Sequence, residues 1–180
     1  TLVHCVDSFG SIKHTPMSRM YSVKGFKHTF NVLLDNKHMN LKYRNELALG
    51  SMCGITALMN SGDGPTNGFA YYLGVKYNVP HGLAGAIFLK EVINYNIHQK
   101  KYFEYSKLDN NNDYTALMKS FDKIYKTLKI PNLSKYGFLN NKMDEFVTGS
   151  MNALGGSFAG NPVEFNEDAV KHIYQNLILE

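Results

Sequence analysis

Apolar residues recur along this chain at steps of three and four, and period-two alternation never lasts, so the pattern predicts helices and almost no strand. The opening "TLVHCVDSF" reads as one helix. A second is predicted over 17–34, where Met20, Tyr21, Val23, Phe26, Phe30, Val32 and Leu33 fall at mixed helical steps. The stretch 41–59 is small and apolar ("LALGSMCGITALM"), and its Ala48, Gly50 and Gly54 suit close contact between helices. Helices over 69–77 and 81–95 are separated by Asn78-Val79-Pro80, since proline lacks the donor a helix interior needs. Beyond the polar "LDNNNDY", Asn112 or Asp113 can cap a helix running to about residue 128. "KIPNLSKYGF" reads as a linker with a short turn. Residues 142–153 form a further predicted helix, ending at Gly155-Gly156. Asn166 caps the last one, whose first-turn acids complement the helix dipole. The expectation is one all-α domain over residues 1–180, a helical bundle.

Composition narrows the function classes. Hydrophobic residues make up 44% of the 180 and charged residues 19%, ordinary for a globular domain. The net charge of +4 is spread out, Lys100-Lys101 being the only basic doublet, which argues against nucleic acid as a partner. No apolar run approaches a membrane span. Cys5 and Cys53 sit in apolar surroundings without CxxC spacing, as expected of a reduced, cytoplasmic protein. The chain opens on Thr1 inside a helical pattern, and the expectation is a piece of a longer protein.

Few residues can carry chemistry. His81 stands between Pro80 and Gly82 at the mouth of an apolar helix. The positive end of the helix dipole disfavours imidazolium there, and neutral imidazole is the form that binds a divalent metal. His81 can equally be a plain capping residue; spacing alone does not choose. His4 shares a helix face with Asp7, three residues on, an arrangement suited to a ligand histidine with a supporting carboxylate, or to an incidental histidine. His14, His28, His38, His98 and His172 lie among polar residues and read as surface. Tyr71 and Tyr72 read as core or pocket wall, and neither Gly62-Asp63-Gly64 nor any other stretch forms a phosphate loop.

Together these segments resemble a known family. "GFAYYLGVKYNVPHGLAGAIFLKEVINYN" is similar to the hallmark segment of iron-containing (group III) alcohol dehydrogenases, with its HAxAH and PHG motifs. "HCVDSF", "LKIPNLSKYGF" and "GNPVEFNEDAVKHIYQNL" resemble the family's HAIEA helix, linker and closing helix, so the likeness covers essentially the whole chain. It implies the helical C-terminal domain of a two-domain enzyme with dehydroquinate synthase-like architecture. The dinucleotide-binding α/β half is missing, so the domain alone is expected to be inactive.

The resemblance also implies a ligand set. In the family an aspartate and three histidines hold one divalent metal, Fe²⁺ or Zn²⁺. His4 matches the histidine of the DxxxH pair, whose aspartate falls one residue before Thr1, and His81 matches the PHG histidine. Asn67 stands at the first histidine of HAxAH, and Tyr71 at the second, which lies near substrate. An amide oxygen is a weaker ligand than imidazole, so the metal is either held by an altered set or lost.

The implied activity is reversible hydride transfer between an alcohol or aldehyde and NAD or NADP. The dinucleotide is bound mainly by the missing half. "HCVDS", "MSRMYSVKGF" and Tyr71 are similar to the 3-deoxy-octulosonate 8-oxidase branch and hint at a sugar-acid substrate. Two alternatives stay open: a degenerate, non-catalytic paralogue without metal, and a cyclase-like relative. The face normally packed on the missing half can support a homodimer.

Overall fold

A computed structural model describes residues 1–100, 103–109 and 113–179. All eight α-helices among them match the expected all-α class: α1 (Leu2–Gly10), α2 (Pro16–Leu34), α3 (Arg44–Met59), α4 (Pro65–Tyr77), α5 (His81–Lys100), α6 (Tyr114–Leu128), α7 (Met143–Phe158) and α8 (Glu167–Leu179). The described residues contain no strand, and none of their helices is long and apolar enough to cross a membrane. Contacts divide the chain into two compact units, Thr1–Asp63 with Phe103–Lys129, and Gly64–Tyr102 with Ile130–Glu180.

The first unit is built from α1, α2, α3 and α6. Thr15 starts α2 with a reciprocal cap: its hydroxyl accepts from the Ser18 N–H at 3.0 Å while Ser18 Oγ accepts from the Thr15 N–H at 2.8 Å. The buried face of α2 differs from the sequence expectation. Phe26 and Phe30 point inward, but so do Ser18, Ser22, Gly25 and Thr29, while Met20 is exposed. Small residues win that face because α3 comes so close: a Cβ on Gly25 would lie 2.9 Å from both Gly50 O and Gly54 N. Gly50 and Gly54 therefore serve the contact expected of them, whereas Ala48 is exposed. Leu117, Phe121 and Ile124 of α6, at helical spacing, close the core, with Phe121 edge-on to Phe30 at 5.3 Å. Asp113 caps α6 through the Thr115 N–H at 2.8 Å; the other candidate, Asn112, lies outside the described residues. The Ser8 and Ser61 hydroxyls meet at 2.5 Å and Ser11 donates to Ser61 O, fastening α1 to the end of α3.

The second unit packs α4, α5, α7 and α8 around aromatic rings. Phe69 is central, 4.6 Å from Phe88, 5.3 Å from Phe158 and 5.8 Å from Phe146 between ring centroids. The α7 helix does not stop before Gly155-Gly156, as its glycines suggest, but runs on to Phe158. Two helical glycines cost about 2 kcal/mol together. Burying the Phe158 ring against Phe69 offsets a cost of that size. Asn96 and Asn161, both buried, exchange amide hydrogen bonds of 2.9 and 2.7 Å, and Asn161 also donates to Val163 O, pinning the α7–α8 connection to α5. In the linker, Leu133–Tyr136 form one 3-10 turn, closed by Gly137 at φ +77°. Asn166 caps α8 through the Ala169 N–H, as expected.

Candidate functional site

The junction of α4 and α5 sets the geometry of the second unit's candidate site. Pro65 occupies the first turn of α4, where its missing donor costs nothing. The helix ends at Asn78, which adopts the left-handed conformation (φ 54°, ψ 33°) and donates its N–H to Leu73 O. Val79 is buried, and the Pro80 carbonyl accepts from the N–H groups of Leu83 and Ala84 at 2.9 Å each. Pro80 is thus the residue before the helix rather than its first turn, and His81 is the first residue of α5.

This arrangement leaves the His81 side chain exposed. Its ring lies against that of Tyr71, centroids 5.0 Å apart and planes tilted by 58°. Tyr71 is 46% exposed, whereas its neighbour Tyr72 is 5% exposed and belongs to the core. Asn67 lies one turn before Tyr71 on the same face of α4 and is buried at 4% exposure. Amide, phenol and imidazole thus grade from the interior to the surface, on two helix segments held by one turn. The neighbouring Gly82 is exposed, with nothing within 4 Å of where a Cβ would sit.

His4 belongs to the first unit. It is half-buried on α1, beside the fully buried Cys5, and Asp7 on the next turn is 5% exposed. Among the described residues no group of three or more His, Cys, Asp or Glu side chains is placed to hold a metal. Within the second unit, His81 offers an imidazole of the kind Fe²⁺ or Zn²⁺ takes, and the Asn67 amide oxygen is a weaker donor type than imidazole.

Of the histidines expected at the surface, His14, His98 and His172 are exposed, while His28 and His38 are half-buried. His28 Nδ1 is 2.5 Å from Glu46 Oε2, a pairing across α2 and α3 that no local pattern announces. Cys5 and Cys53 are buried free thiols, and burial pushes the Cys5 thiol up to about 12.

Comparison with known proteins gives the likeness a name. Residues 1–178 match the model of the Fe-containing alcohol dehydrogenase family, C-terminal. The chain is 24% identical to 4-hydroxybutyrate dehydrogenase of Clostridium kluyveri, over 98% of this chain and 50% of that protein. It is 24% identical to NADPH-dependent butanol dehydrogenase of Clostridium saccharobutylicum, over 97% and 48%. Its fold matches a crystal structure of 1,3-propanediol oxidoreductase with a TM-score of 0.85 at 21% identity, covering 98% of this chain and 49% of that one. The chain thus spans about half the length of the curated relatives it matches.

Proposed function

Because the chain belongs to the Fe-containing alcohol dehydrogenase family, as its C-terminal part, we propose that it is the helical half of a longer, metal-dependent, NAD(P)-linked alcohol dehydrogenase. The substrate is a small alcohol or its aldehyde, the class that the names of the Clostridium relatives carry, with a sugar-derived hydroxyl as the variant the Tyr71 substitution favours. His4, His81 and Asn67 take the family's ligand positions. The nicotinamide dinucleotide belongs to the half outside this chain.

The observation that carries the reading is the exposed His81 at the first position of α5, with Tyr71 packed on it. An exposed imidazole at this position is a ligand type that divalent ions take. A divalent ion held there supplies Lewis acidity, which lowers the pKa of the alcohol. Tyr71 orients the substrate oxygen by a hydrogen bond from its phenol, at the position where the family carries a histidine. Asn67, buried one turn before it on the same face of α4, places an amide behind the phenol.

The amide at Asn67 also favours a second reading, in which the lineage has given up the metal and uses Asn67 and Tyr71 to bind hydroxyls. Aldehyde reduction by the longer protein, with NADH and with NADPH, separates the two. The dehydrogenase reading expects turnover that falls by about 100-fold or more in His81→Ala, the scale set by losing Lewis-acid assistance. No turnover with either dinucleotide across a panel of small aldehydes, or an unaffected His81→Ala variant, contradicts it.

A further inference from the structure

The first unit carries a hollow that the dehydrogenase reading does not use. It is an open depression of about 340 Å³ between the C-terminal half of α2 and the start of α3, lined by Lys27, His28, Asn31, Lys37, Tyr43 and Glu46. Positions 27, 28, 31 and 32 fall on one face of α2, with the exposed Asp35 capping its end, so basic and amide groups line the hollow beside the buried Val32. Tyr43 supplies an aromatic wall, with Lys37 Nζ 5.2 Å and Lys42 Nζ 5.9 Å from its ring centroid.

The two acids are already committed. Asp35 Oδ2 accepts from Lys37 Nζ at 2.6 Å, and Glu46 Oε2 is engaged by His28 at 2.5 Å. The Lys37 hydrogen bond holds the Asp35 carboxyl below its usual range, and the charge of Lys123 on α6 acts in the same direction. Lys27, half-buried, forms no ion pair among the described residues. Of the lysines, 27 and 37 line the hollow, and each of its two carboxylates is already engaged by a neighbouring nitrogen. A cation would have to displace Lys37 or His28 from its partner, whereas an anion meets Lys27 and the Asn31 amide without breaking anything.

We propose that this hollow binds a small dianion of the phosphate class, such as a phosphorylated metabolite, with Lys27 as charge partner, the Asn31 amide as donor and Tyr43 as the wall for its body. Its volume fits a small molecule rather than a macromolecular surface. The site is independent of the His81 chemistry and stands or falls separately from it.

The test is a titration of the full 180-residue chain with inorganic phosphate at low ionic strength, read by backbone amide NMR shifts. Saturable shifts confined to residues 27–46 are expected, weakened at least tenfold in Lys27→Glu. Lys24→Glu, one turn away and making the same change in net charge, is expected to stay within twofold of wild type. No saturation up to tens of millimolar phosphate overturns the proposal. So does equal weakening in the two variants, which would mark diffuse attraction to a basic surface. Asn31→Asp, which keeps the backbone and adds one negative charge inside the hollow, is expected to weaken phosphate as Lys27→Glu does; unchanged binding would overturn the proposal as well.

Discussion

Tyr71 and His81 are ten residues apart in sequence, on different helices, yet their rings meet at 5.0 Å between centroids on an exposed face. One left-handed residue, Asn78, and one proline turn the chain sharply enough to bring them together. The contact predicts a ring-current effect. In Tyr71→Ala the His81 ring protons should move by an amount easily resolved in a proton–carbon NMR spectrum, while Tyr71→Phe should leave them nearly in place. Under the proposed function, Tyr71→Phe in the longer protein should lower kcat by about 10-fold or more with KM little changed, as expected of a group acting on the reacting oxygen. A KM increase at constant kcat would instead assign Tyr71 to ground-state binding.

Gly25→Ala should destabilise the chain by about 2 kcal/mol or more, because the new methyl meets backbone atoms of α3 that cannot rotate away. Gly82→Ala is the control. With open space around it and a helical position, alanine there should be neutral or gain up to about 1 kcal/mol. Urea unfolding of the two variants checks both signs.

Asn161→Ala removes the reciprocal amide pair and leaves Asn96 buried without its Asn161 partner. A buried polar group deprived of a partner costs about 1–3 kcal/mol, so the variant should unfold at clearly lower denaturant. Amide exchange should quicken first in the α7–α8 connection that the pair pins.

Cys5 gives a pH dependence with a definite sign. Its folded-state pKa is raised from 9.0 to about 12, chiefly by burial, with Cys53 nearby acting in the same direction. The unfolded chain therefore loses this proton first. Stability from the buried neutral thiol is complete below about pH 9 and is lost as pH rises from there towards 12. Cys5→Ala should flatten the alkaline arm of the stability curve, and native protein at pH 8 should resist thiol reagents that label both cysteines once it is unfolded.

Much of this was legible in sequence because helices announce themselves by period. The bounds of α2 and α6 and the caps at Asp113 and Asn166 follow from local chemistry. Other features depend on what lies across the packing interface. The inward face of α2 is read wrongly from hydrophobicity because its small and hydroxylic residues are chosen for closeness to Gly50 and Gly54 rather than for greasiness. The end of α7 is set by the burial of Phe158 against Phe69, which outweighs two glycines. His81 and Tyr71 could be singled out from the Pro-His-Gly motif and its family likeness, but their ring contact could not. The pairing of His28 with Glu46, eighteen residues apart, and the hollow beside it had no sequence signal at all.

The central proposal is that His4, His81 and Asn67 take the family's ligand positions for a catalytic divalent ion in the longer protein. Its most direct test is metal analysis of that protein, purified anaerobically, beside Asn67→His and His81→Ala. The account expects about one Fe²⁺ or Zn²⁺ per chain, bound more tightly in Asn67→His and lost in His81→Ala. A parent protein without metal, acquiring it only when Asn67 is replaced by histidine, would contradict the account and mark a lineage that has left metal chemistry behind.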